Sequence, residues 1–547
     1  MNLFFFLFRK APGSLCLALT AGVIGGLSDV GFVALTTLVV RATDSLRDKV
    51  EPFFVTLCIA SLAAGLTSKA ISSAVVREMS VRMLLTVSKD ILDSDLRYLE
   101  KIGNHALFAA LTEDLAAISQ GTISVPNLFL YGVFVLGCFV YIGWLSSVAL
   151  LATVAILSLG ALTLRVAGKT ANGFFLQARN SLDNLHSLLR ALANGAKELK
   201  MHQARRQEFL HGKLRDAAES FARQNFLANF IYSLHGGWTQ LLYLTVVFAL
   251  VFPLPAYLHT PQRIVASYTM ILIFMMGSIG EITNRIPVLA RGDTAIRSLE
   301  RLTASLKVHD ASRDAIKLSQ TTVESIRFEE VTFTYLDDSE NRFSIGPLSL
   351  TLRPGELLFV TGGNGSGKST LVKLLAGLYA PSSGNIYLND RRIDADNREW
   401  YSEHISAVFS DFYLFNSLMG LNHPQRDEEA NRLIRAFNLA EKVRVDSGTF
   451  STIELSQGQR KRLALVTVCL EDRPVYVFDE WAAEQEPQFR RFFYREILQR
   501  LKSQGKVVVV ITHDDDYFDD AGKILKLDYG RVVQGGRREF TTVAEGS

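Results

Sequence analysis

Two stretches of this chain hold residue types at spacings that act on phosphate. Gly362-Gly363-Asn364-Gly365-Ser366-Gly367-Lys368-Ser369-Thr370 fits G-x-x-x-x-G-K-[ST], the loop that wraps the phosphates of a nucleoside triphosphate. A buried strand is read just before it, at Leu357-Leu358-Phe359-Val360-Thr361, and an amphipathic helix just after it, over 370–378. A strand that feeds glycines into a helix start aims several backbone N–H groups, and the positive end of a dipole, at one point. Lys368 is then expected on the β- and γ-phosphates and the Ser369 hydroxyl on Mg²⁺. The ligand these residues require is ATP or GTP.

The second stretch is Val475-Tyr476-Val477-Phe478-Asp479-Glu480, an apolar run that ends in two carboxylates. At a strand tip, Asp479 suits Mg²⁺, a hard cation that takes oxygen ligands. Glu480, one residue on, is placed to polarise a water attacking the γ-phosphate. Glu428-Glu429 is also a carboxylate pair, but no buried strand precedes it, and a solvated helix face explains it. A further buried run, Val507-Val508-Val509-Val510-Ile511-Thr512, delivers His513 at its end. In α/β sheets ligands sit at the C-terminal ends of strands, so His513 is expected to meet the γ-phosphate and orient Glu480.

These residues occupy only the later part of a 547-residue chain, long enough for roughly three or four domains. A net charge of +3 leaves basic and acidic residues nearly matched, which argues against a nucleic-acid partner. The chain has 35 Phe against 4 Trp, and many of the Phe lie in long apolar runs of the first half. Six such runs are read, at roughly 12–40, 52–76, 122–143, 147–166, 226–253 and 263–287. Each approaches the ~20 apolar residues that cross ~30 Å of hydrocarbon, and a tight turn near Trp144-Leu145-Ser146 separates the third from the fourth.

Basic residues set the orientation. Arg9 and Lys10 precede the first run, Arg77, Arg82, Lys89, Arg97 and Lys101 lie between the second and third, and Arg205-Arg206 lies between the fourth and fifth. The alternate loops are short and carry only Arg47 and Lys49, and then Arg263 at a boundary. Both termini are therefore expected in the cytoplasm, and no signal peptide is read at the N-terminus. Residues 78–121 and 167–225 keep helical periodicity with frequent charges, which extends the spanning helices into the cytoplasm. The expected layout is a transmembrane domain over 1–302, a linker over 303–325 and an α/β ATPase domain over 326–547. Cys16, Cys58, Cys138 and Cys469 form neither a metal spacing nor a disulfide framework.

Between the phosphate loop and Asp479 lies Leu455-Ser456-Gln457-Gly458-Gln459, followed by Arg460-Lys461-Arg462 and a helix. The order of phosphate loop, Leu-Ser-x-Gly-Gln, strand-Asp-Glu and strand-His resembles the ATP-binding-cassette (ABC) ATPases. With six spans ahead of one cassette, the whole chain resembles an ABC exporter half-transporter. That resemblance implies that Ser456, Gln457 and Gly458 cap the ATP held by a second copy, so that two half-sites close only in a homodimer. It also implies that Tyr335 stacks on adenine, although an ordinary strand tyrosine explains that residue too. Four positions depart from the family pattern. Gln457 replaces a glycine, Ser410 stands where a glutamine is usual, and Trp481 and Glu486 stand where proline or alanine and an aspartate are common. Ser410 is too short to reach Mg²⁺ and water as a glutamine does. A bridging water compensates, or Asp411 does, or coupling to the membrane helices differs. Hydrolysis is expected all the same, since Lys368, Ser369, Asp479, Glu480 and His513 are intact.

Gly-Glu-Leu-Leu-Phe (355–359), Ser-Ala-Val-Phe-Ser-Asp (406–411), Asp-Glu-Trp-Ala-Ala (479–483) and His-Asp-Asp-Asp-Tyr-Phe (513–518) look like the cyclic-peptide and peptide-siderophore exporters, the pyoverdine and syringomycin type. That family implies ATP-driven export of a peptide, lipopeptide or siderophore precursor across the bacterial inner membrane by alternating access. A lipid flippase or multidrug exporter is the nearest rival. An importer and a nucleotide-gated regulator with little turnover are more distant ones. Asp29, Lys69, His235, Gln240 and Glu281 fall in or near the apolar runs, where an ionisable group costs ~2.5–3.5 kcal/mol on insertion. Two readings stand for these residues: a polar path for the cargo, and packing between helices surrounded by membrane lipids.

Overall fold

The computed structural model describes the chain apart from residues 1, 11, 42–43, 259–260, 308–321, 336–342, 422–423 and 534–547. The chain divides into two compact units, 1–89 with 105–303, and 90–104 with 304–547.

The first unit is helical. Among the described residues, six helices are long and apolar enough to cross a membrane: Pro12–Val39, Glu51–Leu92, Ala106–Leu145, Ser147–Asn194, Gln203–Tyr257 and Gln262–Ala304. Most run well past the span limits read from hydropathy, because their charged extensions continue the same helix. A hydropathy window registers apolar composition, whereas the helical hydrogen-bond ladder continues through polar residues. The second long helix begins at Asp44, so Arg47 and Lys49 lie within a helix and not in a loop. Ser146 makes the tight turn: it is extended (φ −161°, ψ 115°), and its hydroxyl accepts from the Ala149 N–H at 3.3 Å to cap the next helix.

Helices Pro12–Arg41 and Leu115–Leu145 pack closely through small residues, the way helices associate in lipid. A Cβ on Gly26 would lie 2.7 Å from the Leu130 carbonyl oxygen. Val33, Phe134, Cys138, Ile142, Tyr243, Tyr268 and Met275 form part of a buried apolar cluster of this unit. Hydroxyls in this core return their hydrogen bonds to helix carbonyls, as Tyr243 does to Leu272 and Tyr268 to Leu250, which satisfies these two buried donors.

The second unit is α/β. Its six-stranded sheet has the order Arg531–Val532, Lys523–Asp528, Leu357–Gly362, Val507–Ile511, Val475–Asp479, Ile405–Val408, with parallel pairing except at the first, antiparallel edge. Both faces are covered, which is why these strands read as unbroken apolar runs. Phe359, Tyr476, Phe478, Val508 and Val510 join one core cluster, and Leu358, Val360, Val475, Val477, Val507 and Val509 join the other. A four-stranded antiparallel sheet, Ser344–Leu352, Ile326–Thr334, Ser383–Leu388 and Arg391–Arg392, lies in the same unit. The final long helix ends at Lys307 and the first strand starts at Ile326; part of the linker expected between them, 308–321, lies outside the described residues.

Residues 90–104, from the segment between the second and third spans, belong to the ATPase unit. Glu100 accepts from Lys373 Nζ at 2.7 Å and from the Tyr379 hydroxyl, Asp95 lies 3.5 Å from Arg398 Nη1, and Arg97 sits over the Phe333 ring. Burial alone would raise the Asp95 carboxyl, but hydrogen bonds from Arg97 and the charges of Arg97 and Arg398 outweigh it and hold it below the usual carboxylate range.

Candidate functional site

Register places the chemistry. Ile511 pairs with Asp479 on one side and with Val360 on the other, so two strands end level and the third ends two residues further on, at Gly362. The phosphate loop, Asp479-Glu480 and Thr512-His513 leave the sheet together at its C-terminal edge, where ligands bind in parallel sheets.

The loop after Leu357–Gly362 turns back through Gly362 (φ 148°) and Gly367 (φ 102°), conformations that side-chain-bearing residues rarely adopt. At Gly362 a Cβ would also lie 2.2 Å from the Leu527 carbonyl oxygen. The helix it opens runs Lys368–Leu375, starting two residues earlier than hydropathy indicated and ending sooner, because Gly377 turns left-handed (φ 73°). Lys368 is buried and folds back, its Nζ donating to the Gly362 and Gly363 carbonyls at 2.9 and 3.0 Å. Beside it lies a cavity of 390 Å³ lined by Tyr335, Phe343, Asn364, Gly365, Ser366, Gly367, Lys368, Ser369, Thr370 and Glu480. Tyr335 is anchored there by a 2.9 Å hydrogen bond between its hydroxyl and Thr370 Oγ1.

Asp479 is buried at its strand tip. Its Oδ2 accepts from Ser410 Oγ at 3.2 Å, while Oδ1 is buried without a hydrogen-bond partner. Burial pushes this carboxyl above the usual range and the Glu480 charge adds to the shift, while hydrogen bonds from Ser410 and Ser369 pull the other way. A buried carboxylate oxygen with no donor, beside a serine hydroxyl, is a fit for a hard divalent cation. Ser410, too short to act as a glutamine, thus touches the carboxylate itself. Asp411 is exposed.

Glu480 takes a left-handed backbone conformation (φ 48°, ψ 34°), which costs a non-glycine residue roughly 1–2 kcal/mol. That turn aims its carboxylate back over the strand end, where Oε1 lies 3.9 Å from Lys368 Nζ and 3.5 Å from His513 Nε2. A carboxylate held between an ammonium and an imidazole at the edge of the phosphate-loop cavity can accept a proton from water.

Several supports were not visible in the residue pattern. Asp514, next to His513, accepts from Arg490 Nη1 at 3.3 Å and from the Tyr494 hydroxyl at 3.0 Å, and Arg490 also donates to the Gln485 carbonyl. Phe343 lines the cavity, and no motif pointed to it. Trp481, conspicuous in the sequence only as a departure, is fully buried and stacks on Phe493 with centroids 4.3 Å apart.

Ser456 caps the helix Gln457–Glu471, and Gln459 completes a reciprocal capping box. Gln457, in place of glycine, donates to Glu484 Oε1 at 2.8 Å. Gly458 packs so closely that a Cβ would lie 2.8 Å from the Glu484 carbonyl oxygen. Glu486 is exposed, with its Oε2 3.6 Å from Arg462 Nη2.

In the helical unit, Asp29 accepts from Ser61 on the neighbouring helix. His235 is buried, its Nε2 3.2 Å from the Gly160 carbonyl oxygen. Glu281 pairs with Arg285 at 3.1 Å, and Lys69 and Gln240 are exposed. Among the described residues, no hydrogen bond or ion pair joins any two of these five.

Comparison with known proteins agrees with this architecture. Residues 345–483 match the family model "ABC transporter" and residues 14–279 match "ABC transporter transmembrane region". The "ATP-binding protein SyrD" of Pseudomonas syringae pv. syringae is 30% identical over 96% of this chain and 95% of its own length. An "ATP-dependent lipid A-core flippase" of Thiobacillus denitrificans is 24% identical over 93% of this chain and 88% of its own. A solved bacterial Atm1-family ABC exporter with ATP bound superposes with a TM-score of 0.75 at 17% identity, over 96% of this chain and 95% of that one. With six membrane-crossing helices joined to one ATP-hydrolysing domain that drives transport, the chain belongs to the ABC transporter family.

Proposed function

We propose that two copies of this chain form an exporter that carries a cyclic peptide, lipopeptide or peptide-siderophore precursor out across the bacterial inner membrane, with both termini cytoplasmic. The observation that carries the ATPase mechanism is Glu480 set between Lys368 and His513 at the edge of the phosphate-loop cavity. Tyr335 stacks on adenine, and the N–H groups of Gly362, Asn364, Gly365, Ser366, Gly367 and Thr370 surround the phosphates. Lys368 swings from its carbonyl partners to the β- and γ-phosphates. Ser369 and Asp479 would hold Mg²⁺, which neutralises phosphate charge when bound. Ser410 acts on that site through Asp479 and not by direct reach. Glu480 takes a proton from the attacking water, and His513 donates to the γ-phosphate and steadies Glu480.

One phosphate loop and one Leu-Ser-x-Gly-Gln segment per chain leave each site half built. The Ser456 hydroxyl, the Gln457 side chain and the Gly458 N–H of each copy cap the ATP bound by the other. ATP favours the closed pair and so turns the membrane cavity outward; hydrolysis resets it. Residues 90–104 carry the movement between cassette and membrane helices. Lys69 and Gln240, exposed on their helices, suit a polar cargo path, whereas Asp29 and His235, bonded between helices, suit packing.

The cargo assignment rests on the cassette stretches that look like peptide exporters. A lipid cargo is the second reading, favoured by the full-length similarity to a protein described as a lipid A-core flippase. Inside-out vesicles holding the wild type or Glu480→Gln separate the two readings. Given ATP and a panel of cyclic lipopeptides and siderophore precursors, wild-type vesicles alone are expected to accumulate cargo. Intact ATPase activity stimulated only by lipid, with no peptide uptake, would move the assignment to a flippase.

A further inference from the structure

The turn that carries Glu480 is fastened to the helix that starts after Ser456, and one side chain does most of the fastening. Lys461 lies in the interior, 3% exposed, one turn into that helix. Its Nζ donates to the Glu480 carbonyl at 3.1 Å and lies 3.6 Å from Glu484 Oε2. The next residue of the turn returns the contact, since Trp481 Nε1 donates to the Lys461 carbonyl at 2.9 Å. Glu484 is held a second time by Gln457, and Gln485 bridges Arg462 Nε at 2.9 Å and the Gly458 carbonyl at 3.0 Å. On its other side the Glu480 N–H donates to the Ile511 carbonyl at 3.2 Å.

We infer that Lys461 is a positioning residue for hydrolysis: its ammonium locks the Glu480 peptide in the left-handed conformation that aims the carboxylate at the cavity. A left-handed glutamate needs such a restraint, because the unrestrained backbone returns to the right-handed or extended regions. The sheet fixes the N–H side of Glu480, but the carbonyl side has left the strand. Lys461 Nζ makes the shorter of the two hydrogen bonds that carbonyl accepts, the other coming from the Ala483 N–H within the turn at 3.4 Å. An apolar residue in place of Lys461 would leave the half-buried Glu480 carbonyl only the longer 3.4 Å hydrogen bond from the Ala483 N–H and loosen the turn. Lys461 lines no part of the cavity, so its effect falls on the orientation of Glu480 and not on nucleotide affinity. The inference rests on Glu480 being the base.

Steady-state ATPase assays and fluorescent-nucleotide binding on the full transporter in lipid nanodiscs test it. Lys461→Met is expected to lower kcat by about 10- to 100-fold with KM and nucleotide Kd unchanged. Lys461→Arg, which keeps a donor within reach, is expected to recover most of the loss. Trp481→Phe keeps the ring stack but loses the indole N–H, and is expected to lower kcat about threefold on the same footing. It carries the test if Lys461→Met does not fold. Wild-type kcat in Lys461→Met, or in Trp481→Phe if only that variant folds, overturns the inference. So does a loss of nucleotide binding in step with kcat that Lys461→Arg fails to rescue. Glu480→Gln is run alongside. Its loss of turnover beside full activity in Lys461→Met sinks the clamp alone, whereas wild-type turnover in Glu480→Gln sinks the base assignment and the clamp with it.

Discussion

At the scale of single residues, the site is a set of groups held in states that water would not favour. Asp479 is the clearest case: burial first, then Glu480, raises its carboxyl, and Ser410 and Ser369 offset only part of the rise. A carboxyl raised in the folded state destabilises the apo fold at pH above its folded value, and the cost is relieved as pH falls through that value. A bound cation removes the same cost without a proton. The Mg²⁺ concentration for half-maximal ATPase activity is therefore expected to rise as pH is lowered toward that raised value, above 3.8, and a pH series of Mg²⁺ titrations checks it. Asp479→Asn is expected to raise the apo melting temperature while lowering turnover by about 10²- to 10³-fold. Ser410→Ala, which leaves Asp479 without a hydroxyl donor, is expected to raise the Mg²⁺ requirement about tenfold, as loss of an outer-sphere partner does. An unchanged requirement would show that Ser410 has no part in the cation site.

At the scale of elements, residues 90–104 and the close helix pair of the membrane half are the features a mutation would expose. Asp95 is held below the usual carboxylate range, so its contribution to docking is present above pH 3.8 and is lost as pH falls through the lowered value. Asp95→Asn leaves Arg97 and Arg398 without the charge they face and is expected to loosen the segment by about 1–3 kcal/mol. Hydrogen exchange over 90–104 would then speed by tenfold or more, with the phosphate-loop strand unaffected. In the helical unit, Gly26→Ala drives a methyl into the Leu130 carbonyl and is expected to cost about 1–3 kcal/mol, seen as a lower melting temperature in detergent. An unchanged melting temperature would mean that the two helices part without penalty.

At the scale of the whole molecule, the chain holds one phosphate loop and one Leu-Ser-x-Gly-Gln helix start, and in the exporter proposed above that helix start caps ATP held by a second copy. Native mass spectrometry of the purified transporter is therefore expected to find twice the 60.7 kDa chain. Dimers of one wild-type and one Glu480→Gln chain are expected to hydrolyse ATP at no more than about half the wild-type rate, with one base in place of two. A monomer with full ATPase activity would remove the need for a second copy.

The amino-acid sequence alone determined the chemistry that short segments carry. The phosphate loop, the strand ending in Asp479-Glu480 and the six apolar runs are each built from neighbours in the chain, and backbone sterics and hydropathy act at that range. What only the tertiary structure decided is which distant residues meet. Ser410 reaches Asp479 because their strands are adjacent in the sheet, and Glu100 reaches Lys373 from 273 residues away. Lys461 read as one basic residue among three, and Trp481 as an anomaly. The packing of the Gln457–Glu471 helix brought them together, Lys461 on the Glu480 carbonyl and the Trp481 indole on the Lys461 carbonyl. Such partnerships depend on long-range closure, in which the sequence separation of two groups says nothing of their distance once strands and helices have packed.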